Sequence, residues 1–327
     1  MNVLVTGATG FIGGHIAHAA LTQGWHVRGL RRRAGHHGHL AADAGVAWVE
    51  GDLNDAASLA GAMEGVDLLF HAAAYYPRRE HQLSRAQHLA TAEAEMQRVL
   101  AAARAAGVRR MVYTSALFCI ANLPPGAGRL ADERDVYTLG DFPESAYFET
   151  KILMEQLALA ANAPDFEVVV TNPTAVFGPG DLNRTLGTLL ILIAKGLAFF
   201  WLPAGANVVD VRDVANAHIQ AALRGRPGER YILGGHNTTL RGAISAAARV
   251  AGRKAPWLRL PLWVVPPVVW LGDRIPNFPL PANHLRSIRR WQPYNTAKAE
   301  GELGLQARPF EETVRDALAW FKANGDL

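Results

Sequence analysis

A strand-like run, Val3-Leu4-Val5-Thr6, leads without a spacer into Gly7-Ala8-Thr9-Gly10-Phe11-Ile12-Gly13, and helical composition follows at once. That order restricts the chain more than any other feature. In a strand, turn and helix of this kind the first glycine makes the tight turn and the second lets the main chain approach a diphosphate. The third allows the helix to pack closely on its strand. The helix start adds unpaired N–H groups and a partial positive charge aimed at the same phosphates. Gly7, Thr9, Gly10, Phe11, Ile12 and Gly13 are therefore the expected contacts to a dinucleotide.

The first half of the chain repeats this alternation. Runs rich in β-branched residues at Val3 to Thr6, His26 to Leu30, Ala47 to Glu50, Leu68 to His71, Met111 to Thr114 and Glu167 to Thr171 are separated by helical segments. Examples are Ile12 to Thr22, Glu93 to Ala106 and Tyr147 to Ala161. The pattern predicts an α/β fold, a doubly wound parallel sheet of the Rossmann type with helices on both faces. After Pro173, glycine and proline become frequent, and large apolar residues gather at Phe199-Phe200-Trp201-Leu202 and from Trp257 to Trp270. The expectation is a nucleotide-binding domain over residues 1–172, returning at about 207–235. A smaller, mixed C-terminal substrate lobe would occupy 173–206 and 236–327. Leu186 to Ala194 and Leu262 to Leu271 are expected to be core or pocket lining, since each falls short of the ~20 residues that cross a bilayer.

Composition narrows the classes further. Of 327 residues half are hydrophobic and 19% charged, enough to bury a large core. The net charge of +4 is scattered rather than striped, which argues against a nucleic-acid partner. A single cysteine, Cys119, excludes an internal disulfide framework, and the chain begins with a strand rather than a basic leader and apolar stretch. Both point to the cytoplasm.

The second strand ends in Leu30-Arg31-Arg32-Arg33, where an NAD-selective site would present a carboxylate to the ribose 2′-hydroxyl. Guanidinium groups suit a 2′-phosphate instead, so Arg31 and Arg32 predict NADP(H), with NAD(H) the less favoured cofactor. Asp52 and Leu53 after the third strand, Ala72, Ala73 and Ala74 after the fourth, and Thr114 on the fifth complete the expected contacts. His36, His37 and His39 lie in a loop with no carboxylate or thiol to complete a shell, so no metal site is expected.

Several further segments carry a resemblance. They are Tyr147-Phe148-Glu149-Thr150-Lys151, Asn172-Pro173-Thr174-Ala175-Val176-Phe177-Gly178-Pro179-Gly180-Asp181, Val209-Asp210-Val211-Arg212-Asp213-Val214-Ala215, and Tyr231-Ile232-Leu233-Gly234-Gly235. With the glycine turn, they resemble the extended short-chain dehydrogenase/reductase superfamily over essentially the whole chain. In detail they are similar to its dihydroflavonol-reductase-like and hopanoid-associated epimerase-like branch. The resemblance implies that Lys151 holds the nicotinamide ribose, that Pro173 borders the nicotinamide, and that the later lobe covers the substrate. It also implies a homodimer through the helices near Glu93 to Ala106 and Tyr147 to Ala161.

Tyr147 and Lys151 are four residues apart and share a helix face. A tyrosine titrates near 10 in isolation, and an adjacent ammonium favours its phenolate, so Tyr147 can exchange a proton with a carbonyl oxygen. Two family features are missing. The serine expected at the end of the fifth strand falls on Ala116 in Tyr113-Thr114-Ser115-Ala116. Ser115 is the nearest hydroxyl, with Thr114 and Cys119 as weaker donors, but neighbouring strand side chains face opposite ways. The family's Asn and Gly-Thr pair fall on Ala92, Glu95 and Met96. Trp201, Trp257, Trp263, Trp270, Phe199, Phe200 and Phe278 give the second lobe much apolar surface, as pocket or as core. The expected function is an NADPH-dependent reductase of a small apolar ketone or aldehyde, with no membrane span. A sugar-nucleotide epimerase or dehydratase and a non-catalytic NADP(H)-binding regulator are the alternatives.

Overall fold

A computed structural model describes residues 1–77, 82–124, 126–274, 287–288 and 290–327. The strands are β1 (Asn2–Thr6), β2 (His26–Arg31), β3 (Ala47–Glu50), β4 (Leu68–His71), β5 (Arg110–Thr114), β6 (Glu167–Pro173), β7 (Ala175–Phe177), β8 (Phe200–Trp201), β9 (Gly205–Asp210), β10 (Arg230–Leu233), β11 (His236–Thr239) and β12 (Leu258–Arg259). The helices are α1 (Phe11–Thr22), α2 (Ala56–Met63), α3 (Arg85–Ala105), α4 (Ala146–Ala160), α5 (Gly187–Ala194), α6 (Val211–Arg224), α7 (Leu240–Val250), α8 (Val265–Arg274) and α9 (Phe310–Ala323).

Seven strands form one sheet in the order β10-β6-β5-β4-β1-β2-β3, every neighbouring pair parallel. A parallel sheet is covered on both faces, which is why all four residues of β4 are buried. Side chains alternate between the two layers. Val3 and Val5 pack with Ile16 and Ala20 of α1 and Val214 and Ile219 of α6, whereas Leu4 packs with Met63, Met96 and Met154 of α2, α3 and α4. A third cluster builds the C-terminal lobe from Phe177, Leu190, Val208, Ile244, Val314 and Phe321. Two small sheets frame it, one ordered β11-β9-β7 and the other pairing β12 with β8.

Helix starts follow the local chemistry. Asp55, Ser145, Asp210 and Thr239 each accept a main-chain N–H at the start of α2, α4, α6 and α7. Ser84 and Gln87 form a reciprocal capping box, so α3 begins at Arg85, eight residues before the Glu93 expected from apolar spacing.

His218 of α6 is fully buried between layers, its Nδ1 2.8 Å from the Val214 carbonyl and its Nε2 2.9 Å from the hydroxyls of Thr114 and Thr171. Burial lowers its pKa to about 4. The unfolded chain then takes up a proton that the folded chain refuses, between the ordinary value near 6.5 and about 4. Stability is full above that window and is lost as pH falls through it. Thermal melts should show a falling Tm over this range, with a shallower slope for His218→Gln. An equal slope in both proteins would rule out His218 as a source.

Candidate active site

The glycine turn is as tight as its spacing predicts. Gly7 has φ +74°, and a Cβ there would lie 2.8 Å from the Ala73 nitrogen, where the chain leaves β4. A Cβ on Gly13 would lie 2.2 Å from the Gly7 carbonyl oxygen, and one on Gly10 3.1 Å from the same atom. The Gly10 N–H donates to Gly7 O at 2.8 Å, and Gly10 begins α1 without any side-chain cap. The first helical N–H groups are thus left for an anion. This is a cradle that side chains would fill, and it fits a dinucleotide diphosphate.

The cradle opens at the carboxyl ends of the strands, beside the β1–β4 junction where the strand order reverses. A cleft of about 350 Å³ runs from Gly7, Gly10, Phe11, Ile12 and Gly13 past Ala72 and Pro173 to Ser115, Ala116 and Tyr147. The glycine turn and Tyr147 thus lie at the two ends of one cleft. Asn183 and Trp291, which no motif marked, also line it and come from segments far away in the chain.

Farther along the same sheet edge the cations divide. Arg31 is already engaged, its Nη1 3.0 Å from His37 Nε2 and its Nη2 3.5 Å from the Glu50 carboxylate. Arg32 and Arg33 are exposed and make no ion pair with any described residue. Asp52 uses its carboxylate within its own turn, accepting the Asn54 N–H at 2.8 Å, and Leu53, Ala73 and Ala74 are half-buried beside it. The loop after β2 folds back on the phosphate turn: a Cβ on Gly38 would lie 2.5 Å from the carbonyl of Thr9. His39 stacks on His15 of α1 at 4.5 Å, and no group of three His, Cys, Asp or Glu among the described residues is arranged to hold a metal.

On α4, Tyr147, Lys151 and Glu155 succeed one another at intervals of four along one face. The Tyr147 ring is edge-on to Tyr76 and Phe118, at 5.2 and 5.7 Å, and is 6% exposed. Burial lowers the Lys151 pKa, and the nearby Cys119 and Glu95 partly offset this. Glu95, at a position where the family has a Gly-Thr pair, is itself held above the usual carboxylate range by burial. Ala92 and Met96 are simply core.

The hydroxyl predicted as a donor is committed elsewhere. Ser115 Oγ donates to Glu155 Oε2 at 2.5 Å and lies 3.4 Å from Cys119 Sγ. Glu155 also accepts from Asn172 Nδ2 at 2.6 Å and faces Arg230 at 3.3 Å. Ser115 lines the cleft, but its proton points into this network. Thr114 must be corrected as well: its hydroxyl turns to His218 in the layer below the sheet. Burial pushes the Cys119 thiol well up, which makes it a poor acid. Ala116 lines the same cleft as Tyr147 and offers it only a methyl group.

The cleft continues into the second lobe. Thr185, Leu186 and Trp291 are shared with an adjoining chamber of about 110 Å³ that is otherwise lined by residues such as Leu189, Leu192, Phe200 and Ile244. Leu186 to Ala194 is pocket lining and Val265 and Val269 of the segment from Leu262 to Leu271 are core, both as expected, but other residues of that segment face outward. Trp263 and Trp270 are 73% and 57% exposed, and Trp257 72%, so they are neither core nor cleft. Within α8 the reason is geometric: Val265 and Val269, one turn apart, fill the inward side, leaving Trp270 on the other, while Trp263 lies in the turn before the helix. Phe278 lies outside the described residues. No helix among the described residues is long and apolar enough to cross a membrane.

Fold, cradle and Tyr147–Lys151 face define a class, and comparison with known proteins agrees. The chain matches the NAD dependent epimerase/dehydratase family over residues 3–234, and it belongs to that family. It is 31% identical, over 97% of its length and 96% of the other's, to a 4-hydroxy-2-methyl-3-oxo-4-farnesyl-3,4-dihydroquinoline-1-oxide ketoreductase of Stigmatella aurantiaca. It is 30% identical to sterol demethylase protein B of Methylococcus capsulatus, covering 99% of each chain. Among solved structures, a nucleoside-diphosphate-sugar epimerase of Pseudomonas aeruginosa superposes with a TM-score of 0.84 at 24% identity, over 100% of this chain and 99% of that one, a likeness of fold. The chain thus stands among NAD(P)-dependent enzymes that include named reductases.

Proposed function

We propose that this protein is an NADPH-dependent reductase of an apolar ketone or aldehyde. The observation that carries this reading is the continuity of the phosphate cradle, the Tyr147 ring and the apolar chamber. When bound, NADPH supplies a hydride to the carbonyl carbon. Tyr147 would give its hydroxyl proton to the carbonyl oxygen, Lys151 would hold the ribose and support the phenolate left behind, and Pro173 would line the nicotinamide's part of the cleft. The chamber takes the substrate's apolar body. The names of the Stigmatella and Methylococcus relatives, a farnesylated quinoline and a sterol, support an apolar substrate. The test is NADPH consumption with a panel of hydrophobic ketones and aldehydes. Tightly retained cofactor with turnover only on a nucleotide sugar would instead establish an epimerase.

Preference for NADPH follows from the unpaired guanidinium of Arg32 at the end of β2. A charge-assisted contact to the 2′-phosphate contributes about 1.5–3 kcal/mol. Arg32→Glu should therefore weaken NADPH roughly thirty-fold relative to NADH. Tighter NADH binding by the unaltered protein would contradict the assignment.

Ala116 supplies no donor to the reacting oxygen. Ala116→Ser should raise kcat by about tenfold or more, since a placed oxyanion donor contributes about 10² to 10³ elsewhere. A rate unchanged with the hydroxyl in place would mean that the oxygen lies elsewhere. By resemblance alone, α3 and α4 form a homodimer interface, which light scattering at high concentration tests.

A further inference from the structure

The C-terminal lobe carries an exposed surface that the cleft chemistry does not use. Trp257, Trp263 and Trp270 are each more than half exposed, and Leu197 and Phe199 are 54% and 46% exposed. Tryptophan is seldom left this open on a protein that keeps its surface in water, and a contiguous apolar patch marks a place of contact. One part of this surface is tied together around Trp257 and the end of α5. Trp257 stacks on Phe199 at 6.0 Å, its N–H donates to the Phe199 carbonyl, and Arg253 reaches the Ala194 carbonyl at the end of α5. The outward side of α8 and the turn before it presents Trp263, Pro266, Pro267, Trp270 and Leu271.

Charge along these segments is mostly positive, with Asp273 in α8 the one carboxylate among them. Between Arg230 and Gly272 the sequence holds six cations, Arg230, Arg241, Arg249, Arg253, Lys254 and Arg259, and no Asp or Glu; from Leu182 to Val209 it again has no carboxylate. Glu311 of α9 reaches only Arg249, and Arg230 is turned to buried Glu155. Lys195, Arg241, Arg253, Lys254 and Arg259 form no ion pair with any described residue.

We propose that this face seats on the interfacial region of an anionic bilayer. Indole rings settle at the boundary of headgroups and acyl chains, and lysine and arginine beside them attract acidic lipid. The ten residues of α8 are too few to span a bilayer, so the helix lies along it. A second copy of the chain is the poorer occupant, because a two-fold interface would set this cationic surface against itself. Leu197 belongs both to this face and to the wall of the apolar chamber, so the docked surface opens the chamber to lipid.

Flotation of the full chain with vesicles of phosphatidylcholine alone, or with added phosphatidylglycerol, tests the proposal without any cofactor. Recovery with the anionic vesicles should exceed that with neutral ones and fall with salt. Trp263→Ser combined with Trp270→Ser, and separately Lys195→Glu combined with Lys254→Glu, should each lower the partition coefficient by about tenfold or more while melting temperature stays unchanged. All four positions lie on the surface, so folding is not at stake. No association with anionic vesicles, association indifferent to both double variants, or a dimer that the tryptophan variant dissolves would each overturn it.

Discussion

Tyr147→Phe should lower kcat by about 10² to 10⁴, the usual contribution of a placed proton donor, while the KM for NADPH changes little. The ring itself is buried among Tyr76, Phe118 and Phe148, and phenylalanine keeps those edge contacts. What is removed is a single O–H at the cleft wall. The residues that end the fifth strand cannot replace it: Ser115 points its proton at Glu155, Thr114 is turned to His218, and Ala116 has none. Full activity in the phenylalanine variant would remove Tyr147 from the chemistry, though not the nucleotide from its cradle.

Gly13→Ala should weaken NADPH binding by about a hundredfold and lower the Tm, because its Cβ would fall 2.2 Å from the Gly7 carbonyl oxygen. Both partners are main chain, so neither can turn aside as a flexible side chain would. Overpacking of this kind costs about 1–3 kcal/mol and pushes α1 away from β1, which moves the phosphate-binding N–H groups together. Gly61 in α2 is the control. A Cβ there meets nothing within 4 Å, so Gly61→Ala should raise stability by about 1 kcal/mol through helix propensity, with affinity unchanged. Calorimetric titration and melting of both variants check the pair.

The nucleotide-binding half was legible because its signals are local. Parallel strands buried on both faces read as short runs of β-branched and leucine residues, the glycine spacing stands directly between strand and helix, and Tyr147 and Lys151 reveal their shared face by separation alone. The less legible features join distant parts of the chain. Nothing near Ser115 announces Glu155, forty residues later, although Glu155 continues the Tyr147–Lys151 face by one more interval of four. The turn of Thr114 toward His218 spans 104 residues. Likewise, β10 takes its place beside β6 only when the chain returns from the second lobe.

The aromatic lobe was misread for a related reason. Composition showed large apolar residues but not which side of α8 they occupy. Two inward valines set that orientation and left Trp270 outside. By the same logic Trp291, with no motif around it, is a wall common to cleft and chamber.

A crystal structure of the complex with NADP⁺ tests the central claim most directly. The claim requires the diphosphate on the N–H groups that begin α1 and the nicotinamide ring beside the Tyr147 hydroxyl, within reach of a substrate carbonyl held between them. Density for the nucleotide outside the Gly7–Gly13 turn, or a nicotinamide on the far side of the sheet from Tyr147, would contradict it.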